Sequence, residues 1–250
     1  MVRSTVSKWR QMALPLHSVG RVAAVLAGGE SVRMGRDKAR LLAPNWTVDA
    51  SPRTWLERTI GCLAPFVEEC WVLGREVTQA DWPHLDPLPP SRPDRSGGRG
   101  PLGGIDTALA LAGGKALIVA ACDLPNLTPL VVVRLLREGE RAPHADAVAF
   151  AESQEVTASA ESADAVSFAG SVGARTSAPH PRRLAGLFLI VRAGARAAVD
   201  SALANGDYGI QRLLCSIDTH WVDADEEVRL ALLPANSPED IEDRSRDRRS

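Results

Sequence analysis

Apolar runs and helical stripes alternate along this chain. Val22–Leu26 is a short apolar run and reads as a buried strand. Trp55, Leu56, Thr59, Ile60 and Leu63 then recur on one helical face, and Cys70–Leu73 follows as a second strand. Leu102, Ile105, Leu109 and Ala112 mark another helix before the apolar strand Ala116–Ala121. Thr128-Pro129 supplies a cap and a first-turn proline for a helix running toward Gly139. Strand-like Ala145–Ala151, the apolar strand Leu184–Val191, an alanine-rich helix over Ala193–Ala204, a short helix near Ile210–Cys215 and a strand at His220–Val222 complete the series. Alternating β and α units predict an α/β fold of three layers, a mostly parallel sheet with helices on both faces.

Three stretches break the alternation. Pro83–Gly100 holds five prolines among polar residues and reads as an irregular connection. Glu152–Arg175 is rich in Ser, Ala, Gly and Glu without a sustained period, so a disordered insertion is expected over 152–178. The end of the chain alternates acids with arginines. The expected organisation is a flexible extension at 1–20, one domain over 21–241 and a charged tail at 242–250.

Composition adds mainly exclusions. The chain has 250 residues, 45% hydrophobic and 24% charged, with a net charge of −2, so no broad basic field argues for nucleic acid or an anionic membrane. No apolar stretch nears the ~20 residues of a bilayer span, and the N-terminal segment lacks the ~7–15 apolar residues of a signal peptide. Cys62, Cys70, Cys122 and Cys215 form no C-x-x-C pair and read as reduced, mostly core thiols, which points to the cytoplasm. The five histidines stand too far apart for structural zinc.

The chemistry concentrates where strands end. Leu26–Lys38 reads LAGGESVRMGRDK directly after the first strand. Gly28, Gly29 and Gly35 let backbone approach a ligand, successive N–H groups of such a turn form an anion nest, and Arg33 and Lys38 add full charges. The expected ligand is a nucleoside triphosphate. A Walker loop is excluded, because Gly29 and Gly35 enclose five residues and Ala39 follows Lys38. A hydrolase elbow is excluded as well, since Arg33 stands where its second glycine belongs.

Asp123 closes the strand Ala116–Ala121 and, at the same rim as the loop, is placed to hold Mg2+ whose other ligands are phosphate oxygens and water. Gly98, Gly100 and Gly103 spell G-x-G-x-x-G, but a Pro- and Arg-rich loop precedes them where a dinucleotide fingerprint needs a strand. Gly100–Gly104 are read instead as close backbone packing at a helix start, beside base and sugar.

LAGGESVRMGRDK, Asp94 with Gly100-Pro101-Leu102-Gly103-Gly104-Ile105, Cys122-Asp123-Leu124-Pro125 and Asn236-Ser237-Pro238-Glu239-Asp240 resemble, in order and spacing, the molybdenum cofactor guanylyltransferases. The resemblance covers most of 21–241. It implies a Rossmann-like nucleotidyltransferase fold and transfer of GMP from GTP to molybdenum-molybdopterin, with release of pyrophosphate at a magnesium site. It places Leu26, Ala27 and Gly28 at the nucleotide, Lys38 at its phosphates, Asp94 on the nucleoside side and Asp123 on the metal. From the loop chemistry itself Gly29 and Gly100 are expected beside the nucleotide, and Arg33, Lys38 and Asp123 are expected to be catalytic by stabilising the charge that shifts to pyrophosphate. His180-Pro181 resembles a step near the pterin. Gly28 stands where related cytidylyltransferases tend to carry Ala, which favours guanine.

The implied partners are GTP, molybdenum-molybdopterin, and acceptor molybdoenzymes or upstream cofactor-synthesis proteins, with neither nucleic acid nor membrane. Three positions depart from the family pattern: Gly74 for Asn, Pro234 for Asn, and Asp207-Tyr208 for a basic pair. The alternatives are another nucleotidyltransferase of cytidylyl or sugar-nucleotide type, a non-catalytic nucleotide-binding delivery protein, and, from the glycine spacing alone, a nicotinamide-dependent oxidoreductase.

Overall fold

The computed structural model describes residues 20–28, 37–48, 51–95, 97–152 and 182–235, with backbone alone at 44–48 and 51–52. Seven strands form the main sheet: β1 (Arg21–Leu26), β4 (Glu69–Leu73), β5 (Ser91–Arg92), β6 (Ala116–Ala121), β7 (Ala147–Ala151), β8 (Leu184–Val191) and β9 (Thr219–Asp223). Their spatial order is β5-β4-β1-β6-β8-β7-β9. The pairs β4–β5, β1–β4, β1–β6 and β7–β9 are parallel, whereas β8 runs antiparallel to both β6 and β7.

Period-two alternation dictates the three layers. Ala23, Val25, Ile118 and Ala120 face one side and pack with helix α1 (Trp55–Leu63), helix α3 (Pro129–Arg141) and helix α6 (Glu226–Leu232). Val22, Ala24, Leu117 and Val119 face the other and pack with helix α2 (Gly100–Ala112), helix α4 (Arg196–Ala204) and helix α5 (Ile210–Ser216). Both faces of the central strands are buried, which is why those strands read as unbroken apolar runs rather than as alternating ones.

Local chemistry fixes the helix starts. At α1 the Thr54 hydroxyl accepts the Glu57 N–H and the Glu57 carboxylate accepts the Thr54 N–H, a capping box. Thr128 accepts from the Val131 N–H, with Pro129 in the first turn of α3. Among the described residues no helix is long and apolar enough to cross a membrane.

Three elements were not anticipated. An antiparallel hairpin, β2 (Leu42–Val48) and β3 (Ser51–Thr54), forms a second sheet. The two-residue strand β5 interrupts the connection expected to be irregular throughout. Helix α6 follows Asp225, whose carboxylate accepts from the Val228 N–H. The expected insertion lies outside the described residues except for Glu152, whose N–H donates to the Arg183 carbonyl and brings the two flanking segments together. Residues 1–19 and 236–250 also lie outside the described residues.

Candidate functional site

The parallel register of β5, β4, β1 and β6 carries the residues after each strand to one rim. Backbone bonds weld the rim together: Ala27 N–H donates to the Leu73 carbonyl, Cys122 N–H to Leu26 and Gly74 N–H to Arg92. A cleft of about 620 Å³ opens there, within the range of roughly 300–1,000 Å³ common for small-molecule sites. Leu26, Ala27, Gly28, Lys38, Asp94, Gly100 and Asp123 all line it. Gly29 and Arg33 lie outside the described residues, as do His180-Pro181 and Asn236–Asp240.

Lys38 begins a short 3-10 turn, Lys38–Arg40, and its Nζ stands 3.4 Å from Asp123 Oδ2. Both side chains are only about one-fifth exposed (19% and 24%), so the pair is partly shielded from solvent yet open to the cleft. The other acid, Asp94, is held differently. Among the described residues its buried Oδ1 has no hydrogen-bond partner, and burial pushes its carboxyl above the ordinary range. Asp94 thus lines the cleft while its buried oxygen lacks a donor among the described residues.

The glycines divide into two kinds. A Cβ on Gly28 would come within 2.9 Å of Gly74 Cα, and one on Gly74 within 2.4 Å of Gly28 Cα, so two backbones touch beside Asp94. Gly74, at φ +86, also occupies left-handed space that other residues resist. The departure at 74 thus matches the close approach at 28. Gly104 is a packing glycine, since a Cβ there would meet Leu26 Cδ2 at 2.8 Å. Gly100 is not; its added Cβ would meet open space, and φ +56 is what it supplies. The reading of Gly100–Gly104 as close packing therefore holds at Gly104 and is corrected at Gly100.

Of the other two departures, Pro234 lines the cleft. Asp207-Tyr208 does not, and Asp207 is held by Arg212, whose hydrogen bonds pull its carboxyl down to about 2.

Arg75 and Cys122 are among the residues of the cleft wall that carried no assigned role in the sequence. Arg75 donates from Nη1 and Nη2 to Asp37 at 2.7 and 2.9 Å, and from Nε to the Ala27 carbonyl at 3.0 Å. The signal available was position, because Arg75 follows a parallel strand end as Asp123 does. Cys122 also lines the cleft, but burial, with Asp123 beside it, pushes its thiol up to about 12. It stays protonated and is a poor nucleophile. All four cysteines are unpaired; Cys62 is buried, Cys70 and Cys122 are partly buried and Cys215 is exposed.

Among the described residues no group of three or more His, Cys, Asp and Glu could hold a metal by itself. The donor set at the cleft, one carboxylate of Asp123 beside room for phosphate, matches the way magnesium binds through one or two carboxylates plus substrate oxygens and water.

A family model described as MobA-like NTP transferase domain matches residues 23–220. A curated protein of Chloroflexus aggregans, named probable molybdenum cofactor guanylyltransferase, is 26% identical over 244 residues, 91% of this chain and 94% of that one. Another of that name, from Carboxydothermus hydrogenoformans, is 39% identical over 115 residues, 46% of this chain, and the match spans about half (52%) of that relative's length. Among solved structures, molybdopterin-guanine dinucleotide biosynthesis protein A from Archaeoglobus fulgidus superposes with a TM-score of 0.63 over 92% of this chain and 98% of that one, at 19% identity. The 2-C-methyl-D-erythritol 4-phosphate cytidylyltransferase of Thermus thermophilus gives 0.54 over 91% and 98%, at 15% identity. At those identities the two structures speak for the fold.

Proposed function

We propose that this chain, which belongs to the family of MobA-like NTP transferase domains, transfers GMP from GTP to molybdenum-molybdopterin, yielding the guanine dinucleotide form of the cofactor and pyrophosphate. The observation that carries the proposal is the single cleft lined by Gly28, the Lys38–Asp123 pair and Asp94, whose buried oxygen has no partner among the described residues. The two curated relatives named for this reaction support it.

In this reading Asp94 accepts from the N1–H and 2-amino groups of guanine. A pyrimidine offers no such adjacent donor pair, so the burial cost of the lone carboxylate favours the purine that relieves it. Leu26, Ala27 and Gly28, with Gly29, lie along the nucleotide, and Gly100 borders its sugar and base. Lys38, with Arg33, meets the phosphates. Asp123 holds magnesium, which when bound supplies charge neutralisation at the phosphates and a template for them.

A phosphate oxygen of the acceptor forms the new bond to the α-phosphorus of GTP. The bond from that phosphorus to the bridging oxygen breaks, and its electron pair leaves with pyrophosphate. No protein nucleophile is needed, in keeping with a Cys122 thiol that remains protonated. Lys38 stabilises the charge that shifts onto the leaving group, a role whose removal typically costs ~10²-fold or more.

The test is pyrophosphate release by the full chain given GTP, magnesium and molybdopterin, with CTP in competition. Acceptor-dependent release with guanine preference is expected. Release with CTP instead would move the chain to the cytidylyl type, and nucleotide binding without release would make it a delivery protein.

A further inference from the structure

One guanidinium in the cleft wall makes contacts that the proposed reaction does not use. Arg75 grips Asp37 with both Nη atoms and the Ala27 carbonyl with Nε, so one planar group ties the end of β1 to the residue before Lys38. Asp37 is the N-cap of the turn that carries Lys38, its Oδ1 accepting the Ala39 N–H at 3.1 Å. Ala39 is buried, and Leu41 N–H donates back to the Lys38 carbonyl, which leaves the turn little freedom once Asp37 is oriented.

Charge balance reinforces the arrangement. Burial alone would raise the Asp37 carboxyl, but hydrogen bonds and charge from Arg75 outweigh it and hold the group below the ordinary range. Arg40 adds a looser contact, Nε to Asp37 Oδ2 at 3.3 Å, from a side chain that is half exposed (52%). Both guanidiniums lie over Trp82, Arg75 at 5.7 Å and Arg40 at 5.2 Å from the ring centroid, within cation–π reach. The forked contact with a carbonyl on one side and a carboxylate on the other suits arginine; a lysine ammonium has no such fork.

We infer that Arg75 is a positioning residue: through Asp37 it sets where Lys38 stands opposite Asp123, and so where the phosphate-binding cation meets its ligand. The inference rests on the proposed role of Lys38.

The test is a pair of double-mutant cycles in the full chain. Arg75→Ala is expected to lower kcat by ~10- to 100-fold, the scale of a misplacement near 1 Å, with KM for GTP little changed. In a Lys38→Ala background the same substitution is expected to cost no more than about twofold, because its route of action is already gone, while in an Asp94→Asn background it keeps its full effect. Arg75→Lys is expected to recover little, and added guanidinium ion to restore part of the Arg75→Ala rate.

A wild-type rate for Arg75→Ala, or equal factors in both backgrounds, would overturn the inference, the second outcome marking a merely structural role. If the wild-type chain transfers no GMP, the same cycle is read in calorimetric affinity for inorganic tripolyphosphate. Coupling of Arg75 to Lys38 there upholds the inference without the reaction; additivity, or no binding, removes it.

Discussion

The two ends of the cleft treat charge in opposite ways. At the Lys38 end the groups come in pairs: Lys38 with Asp123 at 3.4 Å and Arg75 with Asp37 at 2.7 Å. At the Asp94 end one carboxylate stands among Gly28, Gly74 and Gly104 with a buried oxygen that no donor among the described residues reaches. Partly exposed pairs contribute little to stability, so the first end is better understood as charge held in place than as glue. The second end carries an unmet acceptor, a state that native folds avoid unless something else completes it. In the proposed reading one end meets charge, and the other a shape and a pair of donors.

The largest effects separate the ends by readout. Lys38→Ala is expected to lower turnover by ~10²-fold or more and to leave the ratio of GTP to CTP usage where it was. Asp94→Asn is expected to do the reverse. It lowers the GTP-to-CTP ratio of kcat/KM by roughly 10- to 100-fold, the worth of a hydrogen bond to a charged group at about 1.5–3 kcal/mol, while the better of the two nucleotides still turns over. Competition between the two nucleotides in one tube measures both. Equal damage to the ratio from either substitution would erase the distinction.

How much of this was legible in the sequence follows the same physics. The central strands and their terminal residues were readable because burial on both faces leaves unbroken apolar runs that stop where chemistry starts, as at Leu26 and Ala121. The hairpin β2–β3 was not, since Pro44 and Asn45 interrupt its period, and β5 has only two residues in which to show one. Helix α6 did leave a signal, the capping Asp225 ahead of Glu226 and Glu227, but its seven residues are too few for a convincing stripe. Arg75 could be placed after a strand end, but its contact was opaque because its partner Asp37 lies 38 positions away in sequence, and nothing local announces a contact of that range. The same holds for Gly74, whose meaning depends on Gly28 across two paired strands.

That glycine contact gives a smaller, cleaner test of the Asp94 end. Gly74 and Gly114 have nearly the same backbone, φ +86 and φ +87, but only Gly74 faces another backbone, and a Cβ on Gly114 would meet open space. Gly114→Ala is expected to cost about 1–2 kcal/mol, the strain of a left-handed alanine. Gly74→Ala adds roughly 1–3 kcal/mol of overpacking, with β1 and β4 forced apart beside Asp94. Denaturant midpoints of the two variants measure the difference. Equal losses would mean that the rim yields freely there, and that the slot beside Asp94 is not held by backbone contact.

The smallest expected effect is also the most direct comparison of the two ends, because their carboxylates have opposite pH signatures. Asp94 is raised by burial, so the fold prefers it protonated. As pH climbs from the ordinary carboxylate range through that raised value, the unliganded chain holds a proton that the unfolded chain has lost, and its stability falls. Asp37 is lowered, with the Arg75 fork outweighing burial, so its contribution is present above the ordinary range and is lost as pH falls through the lowered value. Melting curves are therefore expected to rise with pH below the ordinary carboxylate range and to decline above it, with Asp37→Asn removing the rise and Asp94→Asn the decline. GTP affinity runs against the decline, since the ionised Asp94 is the better acceptor: it is expected to strengthen as pH rises, by at most about tenfold per unit for one proton. The phosphates of GTP titrate nearby, and Asp94→Asn, which keeps that background, isolates the carboxylate's share. An identical affinity profile in the variant would strip Asp94 of the role that sets its end of the cleft apart.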